Sequence, residues 1–258
     1  MERDIILERG GLQTTVKVSE PDFGVPTRLV LGVHGLGGST DDAIQTGIAE
    51  EMALFSAVSV RFDFPGHGNS PMTDKAFTVS NCVKTVLEVA AWAKESYPQL
   101  EDLCIFATGF GAYITLLSLD ALRVLPGKLK LVVQTPSVRM HETLLSMIRM
   151  SKETFRLMDR YVFPTDRPFA VCYDFYRELE ENIALNAYDI PMLILHGEED
   201  SYIRLSDIRQ FRRINEEAKL VFIPGASHRF LEDGAWDMVL DLTRDWFAFE
   251  QVLVCDWE

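Results

Sequence analysis

The stretch LCIFATGFGAYIT, residues 103–115, joins a short apolar run to a glycine-rich turn and a second apolar segment. The run LCIFAT has the length and composition of a buried strand, and the segment after the turn predicts a helix. Gly109 lies at the tip of that turn. In a strand-turn-helix of this kind the residue at the tip usually carries the reacting group, and glycine has no side chain. The other segments of the chain must therefore indicate which chemistry this turn serves.

Further apolar runs of the same kind recur along the chain. They are RLVLGVHG, AVSVRFDF, KLKLVVQT, PMLILHG and AKLVFIPG, which begin at residues 28, 57, 128, 191 and 218. Each run is apolar on both faces, as strands of a helix-covered parallel sheet are. Two earlier segments, DIILERGG and LQTTVKVS, meet at Gly10 and Gly11 and predict an antiparallel hairpin at the sheet edge.

Helical periodicity separates these runs. Apolar residues fall on one face at helical spacing within residues 79–93 and again within residues 236–247. Short buried strands alternating with amphipathic helices are typical of an α/β protein. The sequence therefore predicts a mostly parallel central sheet with helices on both faces.

One region, residues 137–189, has no strand-like run and predicts helices only. We interpret it as a helical cap, or lid, inserted into a core made of residues 1–136 and 190–258. Its apolar stripe suits either the lining of a pocket or plain packing on the core, and packing is the more common role of such a stripe. The stripe consists of Met140, Leu144, Met147, Ile148, Phe155 and Met158.

Composition excludes several classes of function. The 258 residues are 47% hydrophobic and 25% charged, which suits a single α/β domain with an insertion. The 25 basic and 39 acidic residues give a formal net charge of -14, which would repel nucleic acid and anionic membranes. The charged start MERDIILERGG and the lack of a long apolar run predict a cytoplasmic protein without a membrane span.

The cysteines and several histidines receive structural interpretations. Cys82, Cys104, Cys172 and Cys255 are scattered without CxxC spacing, so that reduced thiols are expected and no metal site is predicted. The histidines at positions 34, 67 and 196 stand beside glycines or at a strand end, where we expect them to be structural. Asp63 is expected to order its loop through hydrogen bonds.

Four segments outside the turn carry a further pattern. HGLGG at residues 34–38 follows one predicted strand, and RFDFPGHGNS at residues 61–70 follows the next. LHGEEDSYI at residues 195–203 ends a strand with an acid, Asp200, and PGASHRF at residues 224–230 follows the final strand with His228. The order of turn, acid and histidine is the order of a catalytic triad in one large hydrolase fold.

With these segments the chain resembles α/β-hydrolases, and among them the bacterial cinnamoyl and feruloyl esterases. The resemblance implies a Ser-His-Asp mechanism with Asp200 as the acid and His228 as the base. It also implies an oxyanion hole formed by the backbone amides of Leu36 and Phe110. The implied ligand is a small-molecule ester with an apolar or aromatic acyl group, and no metal or organic cofactor is implied.

The nucleophile departs from this pattern. Laid on the motif G-x-S-x-G, residues 107–111 read Ala-Thr-Gly-Phe-Gly, so that Gly109 stands where the family has serine. The favoured interpretation is an esterase whose serine was deliberately replaced, because Asp200, His228 and Leu36 stand at fitting positions. The other interpretation is a natural relative that only binds, because glycine is the least strained residue at such a turn.

The sequence thus predicts a carboxylic ester hydrolase that cannot form an acyl-enzyme as written. Two alternatives stay open: a non-catalytic ligand-binding pseudoenzyme, and a non-hydrolytic lyase-type relative that uses Asp200 and His228 as an acid-base pair. The acyl group, the alcohol and the oligomeric state, for which a homodimer is considered, are left open as well.

Overall fold

The computed structural model describes residues 1–165 and 167–249, so Cys255 and the end of the predicted core lie outside the described residues. The helices and strands alternate along the chain as an α/β protein requires. In chain order they are β1 (Glu2–Arg9), β2 (Leu12–Ser19), β3 (Arg28–Val33), α1 (Ala43–Leu54), β4 (Ala57–Phe62), α2 (Val79–Ser96), β5 (Leu103–Thr108), α3 (Gly109–Leu122), β6 (Leu129–Gln134), α4 (Met140–Ile148), α5 (Lys152–Arg156), β7 (Tyr161–Phe163), β8 (Phe169–Val171), α6 (Tyr173–Glu181), β9 (Met192–Gly197), α7 (Leu205–Ile214), β10 (Lys219–Ile223) and α8 (Ala235–Phe249).

Eight strands form one sheet in the order β1-β2-β4-β3-β5-β6-β9-β10. The pairs from β4 to β10 are parallel, whereas β1 and β2 are antiparallel to each other and β2 is antiparallel to β4. The predicted hairpin at the sheet edge is confirmed, and Gly10 and Gly11 turn it with φ values of 60° and 78°. Because the central strands are parallel, the loops that follow them all emerge at one edge of the sheet.

The helices cover both faces of the sheet, as predicted. Alternate side chains of β3 pack on opposite faces of the sheet. Leu31 and Val33 pack in a cluster with α2 and α3, and Val30 packs in a second cluster with α1 and α8. In β5 the same alternation sends Ile105 to the first cluster and Phe106 to the second. This two-sided burial explains why the central strands are apolar at nearly every position.

The segment between β6 and β9 contains α4, α5, β7, β8 and α6, so the prediction of helices alone was wrong. β7 and β8 pair antiparallel, with Phe163 opposite Phe169, and these two rings stack with centroids 4.8 Å apart. Each strand has three residues, which is too short to show a period of two in the sequence. Pro164 and Pro168 flank the connection and are incompatible with a continuous helix there.

The apolar stripe of this segment packs on the main core. Met140, Leu144, Ile148 and Phe155 are buried in the same cluster as β3, α2 and α3, and Met147 and Met158 are partly buried against it. From α6, Phe175 reaches Phe77 and Phe110 with ring centroids 4.6 and 6.1 Å away. The hydrophobic core therefore extends without interruption from the sheet into residues 137–189.

The remaining expectations concern thiols and membranes. The side chains of Cys82 and Cys104 are buried, and that of Cys172 is exposed. Within the residues that the structure describes, no helix has both the length and the apolar character needed to cross a bilayer.

The shared core predicts that truncating Phe175 destabilises the whole chain. Phe175 is 2% exposed, and we expect Phe175→Ala to lower the free energy of unfolding by about 3 to 5 kcal/mol in urea titrations. Leu157→Ala is the matched control, because Leu157 lies in the same segment and is 89% exposed. Equal stability of the two variants would contradict a shared core.

Candidate active site

The turn between β5 and α3 has the backbone of a tight elbow. β5 ends in extended geometry at Thr108, with φ −117° and ψ 136°, and α3 begins immediately with Gly109. Gly109 has φ +49°, in the left-handed region that side chains disfavour. The residue is buried at the carboxyl edge of the sheet. The elbow geometry is therefore present although the side chain at its tip is not.

Gly111 sets the close approach between this elbow and the loop after β3. A Cβ atom at Gly111 would lie 2.3 Å from the carbonyl oxygen of His34 and 2.6 Å from that of Val33. A Cβ atom at Gly35 would lie 3.4 Å from Oγ1 of Thr108. The first turn of α3, which includes Phe110, thus lies against the loop 34–38, which includes Leu36. The amides of a helix's first turn have no partner within the helix and are available to a ligand.

Asp200 and His228 meet at the same edge of the sheet. Asp200 lies three residues beyond β9 and His228 five residues beyond β10, and these two strands are parallel neighbours. Nδ1 of His228 lies 2.8 Å from Oδ2 of Asp200. The Asp200 side chain is fully buried, whereas the His228 side chain is 20% exposed. Solvent therefore reaches part of the imidazole but not the carboxylate.

The carboxylate of Asp200 is held in its ionised form. Burial alone would raise its pKa, but hydrogen bonds from His228 and from the backbone N–H groups of Ile203 and Tyr202 outweigh burial and lower it. Oδ1 accepts the two backbone bonds at 3.1 and 2.8 Å, which leaves Oδ2 for the imidazole. An ionised Asp200 is an acceptor only, so Nδ1 of His228 is the donor and Nε2 of the neutral ring carries the lone pair.

The tip of the elbow faces that lone pair. A Cβ atom built on Gly109 would lie 3.7 Å from Nε2 of His228, which is ordinary van der Waals contact. Apart from the two chain neighbours of Gly109 and the backbone of the first turn of α3, no other atom of the described residues lies within 4 Å of this point. The structure thus brings Gly109, His228 and Asp200 into one line of contacts, and no hydroxyl from another loop occupies the position of the missing side chain.

The buried histidines His34 and His67 act as structural ties. His34 accepts a hydrogen bond from the Phe64 N–H at Nε2 (3.1 Å), and its Nδ1 is 2.8 Å from the Gly35 carbonyl, to which it donates. His67 donates from Nδ1 to the Pro65 carbonyl at 3.0 Å. Because both imidazoles already bind the backbone, they fix the loops after β3 and β4 beside the elbow.

Asp63 orders the second of these loops. Its two carboxylate oxygens accept hydrogen bonds from the backbone N–H groups of Thr40 and Asn69, at 2.8 and 2.7 Å. Burial raises the pKa of this carboxyl, and the two N–H bonds oppose that shift. Asp63 therefore holds the loop after β3 to the loop after β4.

Tyr202 belongs to the site although the sequence pattern did not single it out. Its ring lies edge-on to the His228 imidazole with centroids 5.2 Å apart, and its backbone N–H binds Asp200. The residue as a whole is 40% exposed. The sequence feature that could have indicated Tyr202 is its position two residues after Asp200. In a tight turn, the backbone N–H groups that follow an aspartate bind its carboxylate.

A cavity of about 430 Å³ lies next to Asp200, between α4 and the chain that follows β9. Its lining includes Asp200 and Tyr202 but not Gly109, Leu36 or His228. Ion pairs of Arg204 with Glu142 and of Arg139 with Asp207 join the two walls, the latter at 3.5 Å. The cavity therefore lies beside Asp200 and Tyr202, and the elbow is not part of its lining.

Comparison with solved structures identifies the architecture. Est1E from Butyrivibrio proteoclasticus, with ferulic acid bound, superimposes with a TM-score of 0.78 at 18% identity, over 95% of this chain and 98% of that one. Mouse alpha/beta hydrolase domain-containing protein 10 gives 0.77 at 16% identity, over 96% and 100%. The chain has the α/β-hydrolase fold.

A third structure with this fold, the esterase domain of a Rhodothermus marinus protein, gives a TM-score of 0.69 at 15% identity, over 95% of this chain and 97% of that one. No protein-family model matches the sequence. No curated protein matches it either. The α/β-hydrolase fold is therefore established by shape.

The buried histidines predict a loss of stability in mild acid. Burial lowers the pKa of His34 to about 4, that of His67 to about 3 and that of His196 to about 4. In the unfolded chain each titrates near about 6.5. The unfolded chain therefore binds protons that the folded chain does not, so stability is full above about pH 6.5 and falls as the pH drops toward about 4.

Urea unfolding between pH 7 and pH 4.5 measures this loss, which is at most about 1.4 kcal/mol per pH unit for each histidine. His67→Phe keeps an aromatic ring between Phe77 and Phe169, whose centroids lie 4.6 and 4.3 Å from the imidazole. We expect a shallower pH dependence in this variant. An unchanged slope would show that His67 does not contribute.

Proposed function

We propose that the chain binds a small carboxylic ester at a serine-esterase type of site and cannot form an acyl-enzyme there. The observation that carries the proposal is the contact chain at the elbow. The Cβ position of Gly109 lies 3.7 Å from Nε2 of His228, whose Nδ1 is bound to Asp200 at 2.8 Å. A serine in place of Gly109 would complete a hydroxyl, imidazole and carboxylate in hydrogen-bonding order.

Each remaining group has a role in ester chemistry. His228 is the base, and Asp200 orients its ring and stabilises the imidazolium that forms on proton uptake. The amides of Leu36 and Phe110, on the loop after β3 and the first turn of α3, are the proposed donors to the carbonyl oxygen. Two such donors aimed at a developing oxyanion contribute about 3 kcal/mol each.

The surroundings of Phe110 favour an apolar or aromatic acyl group. Its ring contacts those of Phe64, Phe77 and Tyr113, with centroids 5.6, 5.3 and 5.8 Å away. The likeness in fold to Est1E, which holds ferulic acid, supports the same kind of ligand for this chain. We propose further that residues 137–189 act as a lid, because Phe169 of β8 would lie 3.0 Å from a Cβ atom at Gly37 in the loop after β3.

The space at Gly109 supports the loss of a serine from a working site. Apart from the neighbours of Gly109 in the chain, no described side chain except His228 has moved to within 4 Å of the Cβ position. A site that had turned wholly to another use would be free to fill this space. A second candidate is a natural binding protein. Glycine adopts the positive φ of position 109 without strain, so a natural change from serine to glycine would stabilise the turn.

The net charge of the chain bears on the class of ligand. A formal net charge of -14 supports a small-molecule ligand rather than nucleic acid or an anionic membrane surface.

The first test restores the nucleophile. We expect Gly109→Ser to hydrolyse aryl and hydroxycinnamoyl esters with a pre-steady-state burst, because its hydroxyl would face His228 beside the amide of Phe110. The same substitution forces a side chain into a backbone with φ +49° and should lower the free energy of unfolding by about 1 to 3 kcal/mol. Ester assays and urea titrations measure the two effects.

Gly11→Ser is the matched control, because Gly11 also has a positive φ, of 78°, and a Cβ atom there would meet no other group within 4 Å. It should share the loss of stability and gain no activity. A folded Gly109→Ser protein that is inert toward a broad ester panel, yet binds an ester, would select the binding-protein alternative.

A second test removes the partners in the restored background. Adding His228→Ala or Asp200→Asn to Gly109→Ser should lower kcat by about 10³ to 10⁴. Tyr202→Phe should keep most of the activity, because Tyr202 binds Asp200 through its backbone N–H and the substitution keeps its ring. An undiminished rate without His228 would contradict its role as the base.

A further inference from the structure

We propose that the chain as it stands hydrolyses activated esters without an acyl-enzyme, by direct attack of a water molecule held at Gly109. The inference rests on the proposed function, because it places the ester in the same site. It goes further in assigning a nucleophile to a chain that has none of its own at the elbow.

The geometry at Gly109 leaves the right space for such a water. A water molecule is smaller than the CH₂OH group of a serine. Leaving aside the adjacent residues and the backbone of α3, only Nε2 of His228 among the described residues comes within 4 Å of the Cβ position. A water that donates to Nε2 of His228 would lie about 2.8 Å from it, which is also where a serine hydroxyl would lie. Since the Cβ position is 3.7 Å from Nε2, the two oxygens would occupy nearly the same point.

The hydrogen bond of the base suits this reaction. The bond from His228 Nδ1 to the ionised Asp200 leaves Nε2 as an acceptor directed at the elbow. The His228 side chain is 20% exposed, so that water reaches the ring from solvent. A positioned base that removes a proton from the attacking water contributes a factor of about 10² to 10⁴.

The proposed step balances. The oxygen of water bonds to the acyl carbon while one of its protons passes to Nε2 of His228, and the carbonyl π pair moves to oxygen beside the amides of Leu36 and Phe110. Collapse of this tetrahedral intermediate breaks the bond to the leaving group. That group departs with the electron pair and takes the proton from Nε2, so His228 returns to its neutral form and the products are a carboxylic acid and a phenol or thiol.

The substrate class follows from the single step. Water is a weaker and less firmly held nucleophile than a serine hydroxyl fixed by its own chain, so the reaction is restricted to acyl groups on good leaving groups. Phenolic esters and thioesters are of this class, and alkyl esters are not. The rate should therefore lie well below that of Gly109→Ser on the same substrate.

The test uses the full chain with p-nitrophenyl acetate and p-nitrophenyl butyrate. We expect saturable hydrolysis with no burst and no labelling by a fluorophosphonate, which reacts with activated serines. His228→Ala should lower the rate about a hundredfold or more, because the general base is lost. Gly109→Ala should lower it to a similar extent, because its methyl group would occupy the space of the water.

Gly11→Ala is the matched control for Gly109→Ala. It introduces a methyl group at another glycine with positive φ where nothing lies within 4 Å, so it should keep the full rate while sharing any strain. Thermal denaturation of all variants separates loss of activity from loss of folding. His228→Ala carries no backbone strain and tests the proposal even if Gly109→Ala does not fold.

Three results would overturn the inference: an unaltered chain that does not hydrolyse these esters, a rate that is unchanged in His228→Ala, and a burst or a covalent adduct in the unaltered chain. Gly109→Ser then separates the two proposals: if it hydrolyses these esters, the esterase-type site stands and only direct attack by water is wrong. If Gly109→Ser is inert as well, the proposed function falls with the inference.

Discussion

The close approach of two backbones at Gly111 is the constraint on which the site depends. Carbonyl oxygens of Val33 and His34 lie where any side chain at Gly111 would have to be, so α3 can begin only with its first turn pressed on the loop after β3. His34 then ties that loop to Phe64 on the next strand's loop. Gly111 and the His34 hydrogen bond thereby hold the first turn of α3, the loop after β3 and the loop after β4 together at one edge of the sheet.

The imidazole of His228 depends on a different part of the same edge. Its partner Asp200 is buried, and an unpaired buried carboxylate would be costly, but two backbone N–H groups and the ring together satisfy it. The same three bonds that stabilise the charge also fix the tautomer of the ring. One arrangement of hydrogen bonds thus stabilises the charge of Asp200 and leaves Nε2 of His228 as an acceptor.

The sequence was sufficient for the sheet, its edge hairpin and the contact between Asp200 and His228, because strand periodicity and chain order determine where loops emerge. It was insufficient for β7 and β8, whose three-residue strands have no readable period. Tyr202 was also missed, because its contact with His228 arises from the fold of a turn and not from a motif. Local patterns determine local elements, whereas contacts between loops depend on how closely those elements pack.

The continuity of the core into residues 137–189 bears on how this fold could be diversified. In a protein whose lid rests on the core through a polar seam, the lid could be exchanged between relatives as a module. Here Phe175 packs against Phe77 and Phe110 inside one hydrophobic cluster, so an exchanged segment would bring mismatched ring shapes into the interior. Exchange of this segment therefore requires coordinated changes on both sides of that aromatic contact.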